Sequence, residues 1–510
     1  MCGVIGIVGS QNQISGDFSA SWAAYQCYQG LLTLQHRGQD AAGIVSYHPE
    51  SPDLIEKRDI GLVARVFLPE HLHNLQGHLA IGHTRYVTVG GNNPRDIQPL
   101  CVSLPYKMAL AHNGNLVNYY NLRTHLTENL GIELATGNDA EVLIKLFAYE
   151  LRLQKGPFTF DKAVKAAAYI FEQAIGSYAV VGLVEGHGLF AIRDPHGIRP
   201  ISLGRKKSEG RWAYIATSET AAMNFLGYEY MREVLPGEIV FVDLQGQFHS
   251  QVIQKDKARH ACMFEWVYFA SAESNIEGRT VYTARLRLGK ALAAMAREKI
   301  QKGEISPDIV MPVPDTSRTA AIALAEDLHL PYREGLIKNR YVHRSFIMDG
   351  QGKRESAVEL KLIPIASEIV GKNILLVDDS IVRGTTSKKI ISLLKKYGAR
   401  EIILASTCPP IRYPCFYGVD FPSPKELIAS NNTVEKVAQE LGAQEVLYLS
   451  EEALVEAIDA QGLCLACLNG AYPTSISEGN NFTAKREKDK KGPNIVISPP
   501  GGSHDLTNSL

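Results

Sequence analysis

The stretch NILLVDDSIVRGTTSKKI, residues 373–390, decides the fold of the second half of the chain. Its apolar start predicts a buried strand that ends in two carboxylates, Asp378 and Asp379. The chain then turns through Gly384 and enters a helix that begins near Thr385. Backbone N–H groups at a helix start attract anions, and glycine lets a phosphate come close. Paired carboxylates can hold ribose hydroxyls or Mg²⁺. The stretch therefore predicts a strand–turn–helix site for a phosphorylated ligand.

Strand and helix patterns alternate on both sides of this stretch. DIVMPVP and EIILAS read as buried strands, whereas TAAIALAEDL and SKKIISLLKKYGA read as helices. This alternation predicts a parallel sheet covered by helices. The first half instead shows short glycine-punctuated strands, such as GVIGIVG and MALAHNGNL, separated by amphipathic helices such as DAEVLIKLFAYELRL. It therefore predicts layered sheets with helices outside.

Composition limits the class of protein. The chain has 510 residues, a formal net charge of −1 and eight scattered cysteines. Its length predicts two or three domains, and its near-neutral charge argues against nucleic acid or a membrane surface as a partner. We expect no membrane segment, no signal peptide and a reducing, cytoplasmic location. The patterns place the first domain at residues 2–243, the second at 260–474 and a disordered tail at 475–510.

The residue 373–390 stretch resembles the PRPP loop of type I phosphoribosyltransferases, where PRPP is 5-phosphoribosyl 1-pyrophosphate. The resemblance implies that PRPP is bound by Asp378, Asp379, Ser380, Ile381, Val382, Arg383, Gly384, Thr385 and Thr386. DIVMPVPDTSRTAA is similar to the pyrophosphate loop of that family, which makes Thr316 an expected Mg²⁺ ligand with Asp378 and Asp379. KNRYVHRSF is similar to the flexible loop that closes over PRPP, which adds Lys338 and Arg340.

The first half carries motifs suited to an amino-acid amide. The guanidinium of Arg85 in GHTRY can grip a carboxylate, and Asp139 in GNDAE can hold an ammonium. Asn113 and Gly114 in AHNGN can aim a side-chain amide and a backbone N–H at one oxyanion, and Arg37 in HRGQD lies upstream. Singly, each motif has an ordinary structural explanation, since Asn-Gly is foremost a hairpin signal.

The opening MCGVIGIVG places Cys2 before an apolar strand, where it is either a packed thiol or, once Met1 is removed, an N-terminal nucleophile. Together with the four motifs, Cys2 resembles the glutaminase domain of N-terminal-nucleophile amidotransferases. An α-amino group has a lower pKa than a lysine, so it can serve as the base for its own thiol. The resemblance makes Cys2 the catalytic residue and makes Arg37, Arg85, Asn113, Gly114 and Asp139 the glutamine and oxyanion site.

A glutaminase half followed by a PRPP half resembles the amidophosphoribosyltransferase family over nearly the whole chain to about Thr474. The resemblance implies an αββα N-terminal-nucleophile domain and a type I phosphoribosyltransferase domain with a parallel sheet. It also implies an activity that converts glutamine, PRPP and water to 5-phosphoribosylamine, glutamate and pyrophosphate, the first committed step of purine synthesis. Ammonia would pass internally between the two sites, purine nucleotides would inhibit, and the chain would form a tetramer or dimer.

Four further cysteines match the branch of that family that carries a [4Fe-4S] cluster. They lie in ACMFE, YPCFYG and CLACLNGAYP, and they are Cys262, Cys415, Cys464 and Cys467. The C-x-x-C pair has ligand spacing for a cluster, although the same four thiolates could hold zinc.

Several residues depart from the family pattern. Asn138 and Ala140 replace serines beside Asp139, YFASAES lacks an Arg-Pro-Asp, and His343 and Ser345 replace Gly and Thr in the flexible loop. Two alternatives remain: a sugar-phosphate aminating amidotransferase, which would lack the PRPP loop, and an idle sensor of PRPP or nucleotides, which need not keep Cys2. Glutamine-dependent release of pyrophosphate from PRPP separates all three.

Overall fold

The computed structural model describes residues 1–9, 20–86, 93–208, 210–339, 362–421 and 423–491. Arg340, His343 and Ser345 of the predicted flexible loop lie outside these ranges. Among the helices of the described ranges, none combines the length and the apolar character needed to cross a bilayer.

Two antiparallel sheets lie face to face in the first half. Within the described residues, seven strands form the first sheet in the order β11-β9-β10-β1-β4-β2-β3, and six form the second in the order β13-β12-β8-β7-β6-β5. The first sheet comprises β1 (Gly3–Val8), β2 (Ala41–Tyr47), β3 (Ile55–Ile60), β4 (Leu79–Arg85), β9 (Ser202–Ser208), β10 (Arg211–Thr217) and β11 (Glu229–Glu233). The second comprises β5 (Leu100–Val102), β6 (Met108–Leu116), β7 (Gly176–Val184), β8 (Gly188–Arg193), β12 (Glu238–Asp243) and β13 (Phe248–Val252).

Helices cover the outer face of each sheet. They are α1 (Trp22–Thr33), α2 (Val63–Val66), α3 (Pro69–Asn74), α4 (Tyr119–Thr124), α5 (Asp139–Leu153), α6 (Phe160–Gln173) and α7 (Thr220–Leu226), with single turns at Pro94–Asp96 and His125–Asn129. Alternate residues of each strand face opposite sides. Ile81 and Ala111 therefore pack between the sheets, whereas Leu110 packs under α5 and α6. The predicted αββα architecture is confirmed.

A parallel sheet forms the centre of the second half, as predicted. Its described strands run in the order β17-β20-β21-β22, and its two faces bury separate apolar cores. The strands of this half are β14 (Ala261–Cys262), β15 (Asn275–Ile276), β16 (Arg279–Thr280), β17 (Ile309–Pro312), β18 (Leu336–Lys338), β19 (Leu362–Pro364), β20 (Asn373–Asp378), β21 (Glu401–Ser406), β22 (Glu445–Tyr448) and β23 (Leu463–Cys464). The helices are α8 (Val281–Gln301), α9 (Arg318–Leu328), α10 (Ala366–Ile369), α11 (Thr385–Lys396), α12 (Val434–Leu441), α13 (Glu451–Ile458), α14 (Ala466–Asn469) and α15 (Ile476–Lys491), with turns at Glu265–Phe269 and Pro424–Glu426.

Two predicted boundaries need correction. The first half does not end at residue 243, because β13 adds Phe248–Val252 to the second sheet. The tail is not disordered from residue 475, because α15 packs against the body of the protein. Its Phe482 is buried beside Tyr120, with ring centroids 6.0 Å apart, and Arg486 pairs with Asp420 at 2.6 Å. The buried Phe482, this ion pair and a hydrogen bond from Asn121 Nδ2 to Glu478 at 3.1 Å hold a helix whose composition is otherwise that of a solvated segment.

The contact between α8 and α9 generates a stability prediction. A Cβ on Gly289 would lie 2.1 Å from the carbonyl oxygen of Ala320, so the two helices approach there with no room for a side chain. We expect Gly289→Val to lower the free energy of unfolding by about 1–3 kcal/mol, since overpacking must separate the helices. Urea denaturation measures this loss. Lys290→Val is the control, because Lys290 is exposed on the same helix, and an equal loss in both variants would contradict the packing explanation.

Candidate functional site

Cys2 lies where the first residues of the chain meet three other segments. Its backbone N–H donates to Asn113 Oδ1 at 3.2 Å, and its Sγ lies 3.5 Å from the Tyr86 nitrogen and 3.6 Å from the Tyr86 oxygen. Burial lowers the pKa of the Met1 amino group to about 5. While Met1 is attached, the nitrogen of Cys2 is a peptide nitrogen that donates a hydrogen bond and cannot accept a proton.

Asn113 and Gly114 have the properties that an oxyanion site requires. Asn113 Nδ2 is buried and has no hydrogen-bond partner within the described residues, so it can donate a hydrogen bond to a ligand. A Cβ on Gly114 would lie 2.0 Å from the oxygen of Ser177, which excludes any side chain there. The structure thus brings the Asn113 side chain against the backbone of Cys2, with Gly114 next to it on β6.

Asp139 begins α5 and is bound to β6. His112 Nε2 lies 2.9 Å from Asp139 Oδ1, and the Leu116 N–H donates to Asp139 Oδ2 at 3.1 Å. Burial by itself raises the pKa of Asp139, but His112 and the backbone N–H more than offset it and hold the pKa below its usual value. The departure at Asn138 has a structural explanation, because its side chain accepts from Ala140 N at 2.9 Å and caps α5 as a serine would.

Arg85 and Arg37 are both buried arginines of the predicted glutamine site. Arg85 is buried at the end of β4, directly before the Tyr86 that contacts the thiol. Arg37 was predicted to bind glutamine, and the structure shows the contacts that its side chain makes. Its Nε donates to the Cys2 carbonyl at 3.0 Å, and its other nitrogens donate to Glu219 at 2.5 Å and Glu265 at 2.9 Å. These bonds join Arg37 to the backbone of Cys2, and its place in the glutamine site stays a prediction.

The acidic pair lies where β20 ends, beside the end of β17. Asp378 Oδ1 accepts from Asp379 N at 2.9 Å, and Ser317 Oγ lies 3.5 Å away in the loop after β17. Burial raises the pKa of both carboxyls, to about 6 for Asp379. The buried Arg285, which the sequence did not single out, favours the charged form of Asp379. A cation beside these two carboxyls would stabilise their ionised forms against the effect of burial.

The turn after Asp379 follows the predicted strand–turn–helix path. Gly384 is the N-cap of α11 with φ of +72°, and Thr385 and Thr386 are exposed at the first turn. Ile381 is also a predicted PRPP ligand, but its side chain is buried in the core, so only its backbone could contact PRPP. The Arg383 Nε lies 3.0 Å from Glu426 in an exposed ion pair. Ser380 Oγ donates to Asp379 Oδ1 at 2.8 Å, and Val382 O accepts from Ile428 N at 3.0 Å.

The predicted pyrophosphate loop joins the same edge of the sheet. Thr316 is half-buried between β17 and α9, next to the Ser317 that reaches Asp378. Lys338, at the end of β18, pairs with Asp315 at 2.7 Å. Asp315 was not predicted, although its place before Thr316 in the loop was a signal. Arg340 lies outside the described residues.

The four predicted ligand cysteines line one cavity. Cys262 and Cys464 are register partners in the pair β14–β23, and the cavity wall also includes Cys415, Cys467 and apolar or aromatic side chains. Burial raises the pKa of Cys262 to about 11. In the described part of the chain, no group of three or more His, Cys, Asp or Glu side chains is arranged so that it could hold a metal ion. The thiols share a cavity of a chemistry suited to a soft metal group.

Comparisons with known proteins agree with this two-site arrangement. A phosphoribosyl transferase domain model matches residues 278–415, and a glutamine amidotransferase domain model matches residues 83–224. Amidophosphoribosyltransferases from Pseudomonas aeruginosa and Bacillus subtilis are 41% and 40% identical over 90% and 93% of this chain, and over 89% and 94% of their own lengths. The solved glutamine PRPP amidotransferase of B. subtilis, complexed with ADP and GMP, has 39% identity and a TM-score of 0.80 over 93% of this chain and 98% of its own. A structure described as the allosteric regulatory enzyme of purine biosynthesis has 40% identity and a TM-score of 0.81, over 93% of this chain and 97% of its own.

The raised pKa of Asp379 predicts a pH dependence of stability. Between the usual carboxyl pKa and about 6, the folded state holds this proton while the unfolded state has released it. The contribution of Asp379 to the free energy of unfolding therefore falls as pH rises through that range. We expect Asp379→Asn to reduce this fall in urea denaturation without ligand. Asp459→Asn, at an exposed carboxyl, is the control, and an unchanged pH dependence in Asp379→Asn would contradict the assignment.

Proposed function

The chain belongs to the amidophosphoribosyltransferase family, and we propose that it makes 5-phosphoribosylamine with nitrogen taken from glutamine. The reaction converts glutamine, PRPP and water to phosphoribosylamine, glutamate and pyrophosphate, and it commits PRPP to purine synthesis. One observation carries the proposal: a single chain holds the Cys2 backbone against Asn113, whose Nδ2 has no hydrogen-bond partner among the described residues, and also holds the Asp378–Asp379 pair at a strand–turn–helix loop.

Glutamine hydrolysis follows from the geometry around Cys2. The α-amino group released by removal of Met1 takes the thiol proton, and Sγ attacks the carboxamide carbon. Asn113 Nδ2 and the Gly114 N–H donate to the oxyanion that forms. The tetrahedral intermediate expels ammonia, which takes its third proton from the α-ammonium, and water then hydrolyses the thioester to glutamate. Arg85 holds the substrate carboxylate and Asp139 holds its ammonium.

Displacement of pyrophosphate follows from the edge of the parallel sheet. The N–H groups from Ser380 to Thr386 and the Thr385 and Thr386 hydroxyls hold the 5-phosphate, and the acidic pair holds the ribose hydroxyls. Lys338 and Arg340 neutralise the pyrophosphate as ammonia attacks the anomeric carbon and the C–O bond breaks. Asp378, Asp379 and Thr316 supply oxygen atoms suited to Mg²⁺, which would offset the charge of the leaving pyrophosphate.

Reciprocal variants test the assignment of the two sites. Cys2→Ser should lose glutamine-dependent pyrophosphate release from PRPP but keep synthesis from free ammonia, because the acidic pair is intact. Asp379→Asn should lose both reactions, because PRPP must bind at the acidic pair whichever nitrogen source is used. Intact mass should show Met1 missing from active enzyme, since only a free α-amino group can accept the thiol proton. The measurement is pyrophosphate release with each nitrogen source.

The opposite pattern would contradict the proposal. Normal glutamine turnover in Cys2→Ser, or full ammonia-dependent synthesis in Asp379→Asn, would remove the residue from its site. Glutamine hydrolysis coupled to a sugar phosphate without use of PRPP would favour a sugar-phosphate aminating enzyme. Binding of PRPP or nucleotides without turnover of either substrate would favour an idle sensor.

We further propose that Cys262, Cys415, Cys464 and Cys467 hold a [4Fe-4S] cluster. Four thiols in one largely apolar cavity are a donor set for such a cluster. The cluster would be structural, since neither half-reaction transfers an electron. It would join β14, the segment after β21 and the C-terminal β23, which are far apart in sequence.

Metal analysis tests the cluster. Protein purified without oxygen should be brown and should contain iron and sulfide in equal amounts. In air it should lose its activity and its folded structure at the same time. Cys464→Ser should be colourless and inactive or insoluble, whereas Cys101→Ser, at an exposed thiol of the first half, should stay brown. Wild-type protein that is colourless, holds zinc and is stable in air would show that the four thiols bind zinc and not a cluster. Both catalytic sites would stay as assigned.

The remaining partners are proposals of the same kind. The related B. subtilis enzyme was solved with ADP and GMP, which supports purine nucleotides as feedback inhibitors of this chain. We propose a cytoplasmic homo-oligomer, a tetramer or a dimer, that binds no nucleic acid and no membrane.

A further inference from the structure

His112 is a buried titratable group that the mechanism above does not use. It precedes the oxyanion residues on β6, and strand alternation points it away from Asn113. Asn113 faces the layer between the two sheets, where Cys2 lies, whereas His112 faces α5 and contacts Asp139 at 2.9 Å. His112 therefore does not take the proton of the thiol, and its side chain acts on Asp139.

Both ring nitrogens of His112 are buried, and only one of them has a hydrogen-bond partner among the described residues. Nε2 faces Asp139 Oδ1, and Nδ1 is buried without a hydrogen-bond partner among the described residues. With a proton on Nε2, the ring donates to Asp139 Oδ1, and an ionised Asp139 keeps acceptor positions for a substrate ammonium.

His112 and Leu116 hold Asp139 from both sides of the oxyanion residues. One donates to Oδ1 and the other to Oδ2, and Asn113 and Gly114 lie between them on the same strand. An ionised carboxylate has about four acceptor positions, so two remain for a ligand. This clamp sets the position of Asp139 relative to the oxyanion donors.

We propose that His112 is a positioning residue that orients Asp139 toward the α-ammonium of glutamine and thereby sets the preference for an α-amino acid amide. This inference rests on the proposed function. The backbone of His112 is held independently, because its N–H donates to Gln98 Oε1 at 2.7 Å. Substitution of the side chain therefore removes the bond to Asp139 and leaves the strand anchored.

Substrate comparison tests the proposal. His112→Leu should raise KM for glutamine by about tenfold to a hundredfold with a much smaller change in kcat, as expected for loss of a bond to a charged group. Glutaramate, which is glutamine without its α-amino group, should be hydrolysed with nearly unchanged kcat/KM. The preference for glutamine over glutaramate should therefore fall. His112→Gln places an amide N–H near the position of Nε2 and should restore most of the preference.

Controls separate this test from folding and from the proposed function. His249→Leu removes a partly exposed histidine that lies 3.4 Å from Asp243, at the opposite edge of the same sheet, and should leave the preference unchanged. If His112→Leu does not fold, His112→Asn is compared with His112→Gln, since the shorter amide cannot reach Asp139. An unchanged preference in His112→Leu or His112→Asn, or equal losses for glutamine and glutaramate, would overturn the inference. Absence of glutamine-dependent synthesis in the wild type would instead overturn the proposed function.

Discussion

The buried guanidinium of Arg37 joins the two halves of the chain at the nucleophile. One nitrogen donates to the carbonyl of Cys2, and the others pair with Glu219 of the first half and Glu265 of the second. All three charged groups are buried, and removing one partner of such a network costs about 3–5 kcal/mol because a charge is left unpaired. The position of the thiol therefore depends on the second half being in place.

The segment of the second half that contains Glu265 also contacts Arg285, which lies beside the proposed PRPP site. Ser271 N and Ser274 Oγ donate to Glu219, at 2.9 and 2.8 Å, and both lie in the YFASAES stretch that departs from the family pattern. Arg285 donates to the carbonyls of Trp266 and Ala270 and interacts with Asp379. Contacts made by residues 265–274 thus connect the carbonyl of Cys2 with the acidic pair through packed, buried groups.

Local pattern in the sequence predicted the elements and much of the chemistry. The strand with Asn113, the helix that begins at Asp139 and the turn at Gly384 are where the apolar spacing and the glycine place them. Contacts between segments that are distant in sequence could not be predicted from local pattern. No local pattern shows that Arg37 pairs with Glu265, 228 residues away, or that Phe482 is buried beside Tyr120. The position of His112 beside Asn113 was visible, but its partner Asp139 lies 27 residues along the chain.

We propose that the chain transfers nitrogen from the glutamine amide at Cys2 to PRPP at the Asp378–Asp379 pair without releasing it to solvent. The most direct measurement supplies glutamine labelled with ¹⁵N in the amide, together with PRPP and an excess of unlabelled ammonium, and determines the isotope in the phosphoribosylamine formed. Because the two sites are joined through buried contacts, we predict product that carries mainly ¹⁵N. Product that carries the isotope ratio of the free ammonium pool would contradict direct transfer between the two sites.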